Sequence, residues 1–147
     1  MPDIDPFDLT FLILLIIILT TGLFFLMMQK LFRKSSFHIL YERWPAPETL
    51  YGRRITHQHI GLNDIWYKNC ATFTIADEGL GIAFSFPVSL IHKQGVLVPW
   101  KKIRFLQKDR VFWTNMYRYE IDNETPVQLL VMKKIVQAFP ASHVPAE

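Results

Sequence analysis

Two histidines one residue apart, His57 and His59 in THQHI, have the spacing at which neighbouring imidazoles on one strand face can share a metal ion. Such a site needs further ligands, and neither a cysteine nor an acidic cluster accompanies the pair; His38, His92 and His143 stand alone in sequence. An exposed strand face without metal is therefore the expected setting. Cys70 is the one thiol. As a nucleophile it would draw on His57 or His59 as base, but it lies in the apolar run CATFTI, where a free cysteine behaves as a small buried hydrophobe. Paired carboxylates, a glycine-rich phosphate loop and a Ser-His-Asp pattern are all missing from the sequence, and its six glycines occur singly, as turn markers. The expectation is a protein with no catalytic residues and no cofactor, hence not an enzyme.

Binding chemistry is better represented. All 16 Lys and Arg residues lie at or beyond Lys30, against 10 acidic residues there, a formal +6. That excess suits an anionic membrane leaflet, where each juxtamembrane cation contributes about 1 kcal/mol. It also suits nucleic acid, a partner that tethering at a membrane disfavours. The candidate lipid-binding residues are Lys30, Arg33, Lys34, Arg53, Arg54, Lys101 and Lys102, with Lys68 and Arg104 nearby in sequence. They read either as a headgroup site or as a solvated basic surface. A second cluster, RVFWTNMYRY at 110–119, interleaves Phe112, Trp113, Tyr117 and Tyr119 with Arg110 and Arg118, the composition of protein-protein hot spots. These five residues, Phe112, Trp113, Tyr117, Arg118 and Tyr119, are the candidate partner-binding set. A half-buried strand has the same look, and strict alternation then leaves one of Phe112 and Trp113 outside the core.

The first element that positions these groups is apolar. Between positions 9 and 28 no residue is charged, and the polar side chains are Thr10, Thr20 and Thr21, whose hydroxyls can bond back to helix carbonyls. About 20 apolar residues at about 1.5 Å each span a bilayer core of about 30 Å. An export signal begins with basic residues and ends in a small-residue cleavage site, whereas Asp3, Asp5 and Asp8 precede this stretch and Lys30, Arg33 and Lys34 follow it. Those flanks predict an uncleaved single-pass anchor with residues 1–8 outside and the rest cytoplasmic, in a bacterial inner membrane. The unpaired Cys70 agrees with a reducing compartment. Residues 9–34 are then the anchor and its basic flank.

Residues 35–50 begin as a continuation of the anchor helix and break at Pro45 and Pro47, which predicts an interfacial neck. Tyr41 and Trp44 suit either headgroup depth or the first core positions of the domain. Residues 51–140 read as one small antiparallel β-domain, with strand-like runs at 52–62, 69–86 and 95–122 and turn chemistry at Asp77-Glu78-Gly79, Gln94-Gly95 and Asp122-Asn123-Glu124. Residues 141–147 are a tail. In NETPVQLLVMKKIVQAFP, Thr125 as cap, Pro126 in the first turn and Gln128 three residues on predict a closing helix with Leu129, Met132, Val136 and Phe139 on one face and Lys133, Lys134 and Gln137 elsewhere. The competing reading of the same stretch is a last strand from Val127 to Met132.

The pair of strands in TIADEGLGIAF, the following GVLVPWKKI and the closing amphipathic helix resemble the pleckstrin-homology-like superfold, in its GRAM and bacterial branches, through Gly79, Leu80, Val98, Pro99, Trp100 and Ile103. Tyr67, Asn69 and Cys70 are similar to a Y-x-N-C element of bacterial membrane-anchored proteins. The likeness covers roughly residues 50–139 and implies a bent seven-stranded barrel capped by a C-terminal helix, an α+β fold behind one transmembrane helix. It implies a fold more than an activity, and the basic run that binds phosphoinositides across the first hairpin of eukaryotic members is not recognisable here. The functional expectation is a protein-binding accessory or scaffolding subunit of a membrane complex. The alternative is a module that senses anionic headgroups at the inner leaflet.

Overall fold

The computed structural model describes residues 5–122 and 124–146, which fall into two units divided between Leu31 and Phe32. The first is α1 (Pro6–Arg33) up to Leu31, a helix long and apolar enough to cross a membrane, with every side chain from 5 to 27 exposed. At about 1.5 Å per residue it reaches about 40 Å. Thr10 Oγ1 donates to the Pro6 carbonyl and Thr20 Oγ1 to the Ile16 carbonyl, both at 2.8 Å, so these hydroxyls are satisfied without a partner helix.

In the second unit α2 (Phe37–Arg43) follows Ser36, whose left-handed φ of 60° breaks the helix direction. Phe37 and Leu40 on α2 are fully buried in the unit, and Arg43 forms an ion pair with buried Asp122. The segment expected as a neck thus supplies core side chains; Tyr41 and Trp44 are half-buried.

Seven strands follow: β1 (Arg53–Leu62), β2 (Ile65–Ile75), β3 (Gly79–Phe84), β4 (Val96–Pro99), β5 (Ile103–Val111), β6 (Thr114–Ile121) and β7 (Val127–Met132). They form one antiparallel sheet in the order β4-β3-β2-β1-β7-β6-β5, curled into a half-barrel. β4 and β5 do not pair with one another, so the barrel expected from the sequence is open along that seam. Its inner face carries the core, including Ile60, Leu62, Phe73, Ile82, Tyr119 and Leu129, each at most 1% exposed.

The α+β class expected from the sequence holds, but its closing helix is short. Residues Val127–Met132 are β7, as in the competing strand reading, and the helix is only α3 (Lys133–Val136). Tertiary pairing decides this: Leu129 and Leu130 face Leu62 and Gly61 on β1 while six consecutive residues pair with β6, so the backbone bonds of this stretch go to two neighbouring strands. Val136 and Phe139 are still buried, Phe139 edge-on against Trp100 (5.2 Å) and Tyr119 (5.4 Å).

Candidate functional site

Between β5 and β6 the chain turns in two residues, Phe112 and Trp113, with φ of 47° and 69°. This is the left-handed pair that a tight hairpin demands and that Asn-Gly supplies with least strain. Bulky side chains there cost about 1–2 kcal/mol per residue. Between β1 and β2 the same geometry is met by Asn63 and Asp64, with φ of 47° and 69°, residues suited to it. The aromatic turn has no compensating burial: Phe112 is 82% and Trp113 88% exposed. The alternation expected over 110–119 therefore fails at the tip, where both rings are outside the core because both belong to a turn.

The other two aromatics are placed differently. Tyr117 and Tyr119 are buried, and the Tyr119 hydroxyl donates to the His143 carbonyl at 2.7 Å. Burial holds both Tyr119 and Tyr67 protonated, Tyr67 pushed up to about 12. They are core residues, which removes Tyr117 and Tyr119 from the candidate docking set. Arg118 is half-buried and bonds Asp109 (2.5 Å) and Gln128 (2.5 Å), with Asp64 at 3.8 Å.

Around Arg118 the outer face of the sheet forms a groove of about 320 Å³ lined by Gly61, Ile65, Trp66, Phe112, Arg118 and Leu130. Gly61 is required there, since a Cβ would lie 2.9 Å from Leu130 Cβ and 3.3 Å from the Trp66 ring. His59 stacks on Trp66 at 5.7 Å and its Nδ1 accepts from the Asn69 N–H, so it supports the groove wall. His57 is exposed, at φ 56°, in a stretch where β1 slips register between Ile55 and Gln58 and again before Ile60. The bulges break the common face assumed for His57 and His59. Among the described residues no group of three metal-ligating side chains occurs. Burial pushes the Cys70 thiol up, away from the reactive thiolate.

The basic residues fall into separate places. Lys30, Arg33 and Lys34 are exposed at the end of α1 and just after it. Arg53, Arg54, Lys101 and Lys102 are exposed too; Arg53 pairs with Ile75 and Gly79 with Pro99, which puts these four at one end of the β1–β4 sheet beside exposed Asp77 and Glu78. The second unit begins at Phe32, which packs on Tyr67 (4.9 Å) and His92 (5.5 Å) at the other end of β2. Eight residues of strand separate Tyr67 from Ile75, about 25 Å.

A scan against protein-family models and searches of curated proteins and of solved structures find no match to this chain. Its class rests on architecture alone: a helix able to span a membrane, joined to a seven-stranded antiparallel half-barrel.

Proposed function

We propose that this chain is a non-enzymatic single-pass inner-membrane protein whose cytoplasmic, pleckstrin-homology-like unit docks a partner protein, as an accessory or scaffolding subunit of a membrane complex. The observation that carries the reading is the Phe112-Trp113 turn: two large rings held in left-handed backbone and exposed to solvent, where the fold alone favours Asn-Gly. Strain retained without burial is explained by an occupant that covers the rings, and the adjacent groove with Trp66, Leu130 and Arg118 offers the mixed aromatic and guanidinium surface that docking favours. Orientation is supported by Lys30, Arg33 and Lys34 beyond the apolar stretch.

Headgroup sensing is the weaker reading. Arg53, Arg54, Lys101 and Lys102 share their end of the sheet with exposed Asp77 and Glu78, which offset part of its positive charge.

Purification of the full-length protein in mild detergent tests the proposal. The wild type is expected to carry one membrane protein in stoichiometric amount, and Phe112→Ser/Trp113→Ser to lose it with the fold intact. A wild-type monomer without companion contradicts it. A reporter fused after Glu147 is expected to be active only as a cytoplasmic fusion.

A further inference from the structure

The strand order ends in β4 on one side and β5 on the other, and the chain treats these two edges differently. Along β4, Pro45 bridges Val96, the Leu97 N–H donates to the Trp44 carbonyl (2.9 Å) and the Ala46 N–H to the Gly95 carbonyl (3.0 Å). Along β5, eight of its nine residues pair with β6 on one side, with a register slip between Phe105 and Gln107, and among the described residues no strand pairs with the other side. That edge is basic: Lys108 and Arg110 are exposed, Arg104 is exposed but paired with Glu120 on β6 (3.1 Å), and Lys101 and Lys102 precede it. Its single acid, Asp109, is already held by Arg118 and by Gln107 (2.8 Å). Lys108 and Arg110, two residues apart, share a face; Lys108 Nζ stands 5.7 Å from the Tyr117 ring and the Arg110 guanidinium 5.6 Å from that of Trp113.

We infer that β5 is a pairing edge for an extended acidic segment of the partner protein, which adds a strand beside β5 with its carboxylates opposite Lys108 and Arg110 and its end against Trp113. The inference rests on the docking reading above and names the partner's chemistry. Main-chain bonds to an open edge give affinity without regard to sequence, so the charges must supply selection and register. A second copy of this chain does not fit, because antiparallel β5 against β5 centred on Asp109 sets Lys108 of one copy opposite Arg110 of the other, and like charges across a pair are destabilising. The same charges that keep bare edges apart thus admit an acidic strand.

The test uses full-length protein in detergent micelles and a synthetic ten-residue peptide that alternates Glu with Val and Thr, beside its Lys-for-Glu counterpart. The Glu peptide is expected to slow amide exchange at residues 107–111 at least tenfold while leaving β4 unchanged. Lys108→Glu/Arg110→Glu is expected to weaken it at least tenfold and to acquire binding of the Lys peptide, with the melting temperature unmoved. No binding, binding without protection of β5, or indifference to the charge reversal overturns the edge assignment. If Phe112→Ser/Trp113→Ser still loses its companion in that event, the docking reading survives; if β5 is protected but the companion is retained, the docking reading fails instead.

Discussion

At one end of its strand order this protein covers its own sheet edge, and at the other, among the described residues, it leaves a longer edge without a pairing strand. β4 is four residues long, with Val96 and Val98 fully buried, and the chain from Trp44 to Ala46 lies along it. β5 is nine residues long, slips register between Phe105 and Gln107, and carries exposed Lys108 and Arg110 where β4 has a bridging segment. Protection from aggregation is needed equally at both edges. The difference teaches that the fold has the means to seal an edge, and that β5 is kept accessible to a segment of opposite charge.

The largest way to break the contrast is to unseal β4. Phe37 is fully buried, edge-on to Phe84 at 4.9 Å and 4.8 Å from His92, and α2 carries the sealing segment at its end. Phe37→Ala is expected to cost about 3–5 kcal/mol, read by denaturant unfolding, and to speed amide exchange along β4.

Acid is expected to act on the same side of the molecule. His92 sits among Phe32, Phe37, Tyr67 and Phe84, and its ring shares a hydrogen bond with the Tyr67 hydroxyl at 3.1 Å. Burial, and secondarily His38, lowers its pKa from 6.5 to about 4. Between those values the unfolded chain binds a proton that the folded chain does not. Stability from this group is therefore complete above about pH 6.5 and declines as pH falls, by about 3 kcal/mol at pH 4. Melting temperature against pH checks this, and His92→Leu is expected to flatten the curve over that window.

A smaller effect sharpens the open side. Gly61→Ala drives a methyl against Leu130 and Trp66 in the groove and is expected to cost about 1–3 kcal/mol by overpacking, measured by thermal unfolding.

The membrane-length helix and the turn at Asp77-Glu78-Gly79 were legible in sequence because each is set by local composition: an unbroken apolar run, and a polar pair before a glycine on which the Ala76 N–H closes. The stretch from Val127 to Met132 was not, since Leu129, Met132 and Val136 fit a helical period while Val127, Leu129 and Val131 fit a strand period, and only the neighbours β1 and β6 choose between them. Phe112 and Trp113 were not legible as a turn. Their residue types speak for a strand, and no glycine or asparagine announces left-handed backbone. Phe37 and Leu40 look alike whether they face lipid or core, so the burial of α2 needed the fold.

The docking claim is tested most directly by replacing the strained aromatic turn with the residues its backbone favours. Phe112→Asn/Trp113→Gly keeps the hairpin geometry and relieves about 1–2 kcal/mol at each position. Co-purification of the full-length variant from membranes is the measurement, with melting temperature recorded on the same sample. The expected result is a protein that melts higher than wild type and has lost its companion. A variant that keeps its companion in wild-type amount contradicts the account, because the exposed rings would then have no part in docking.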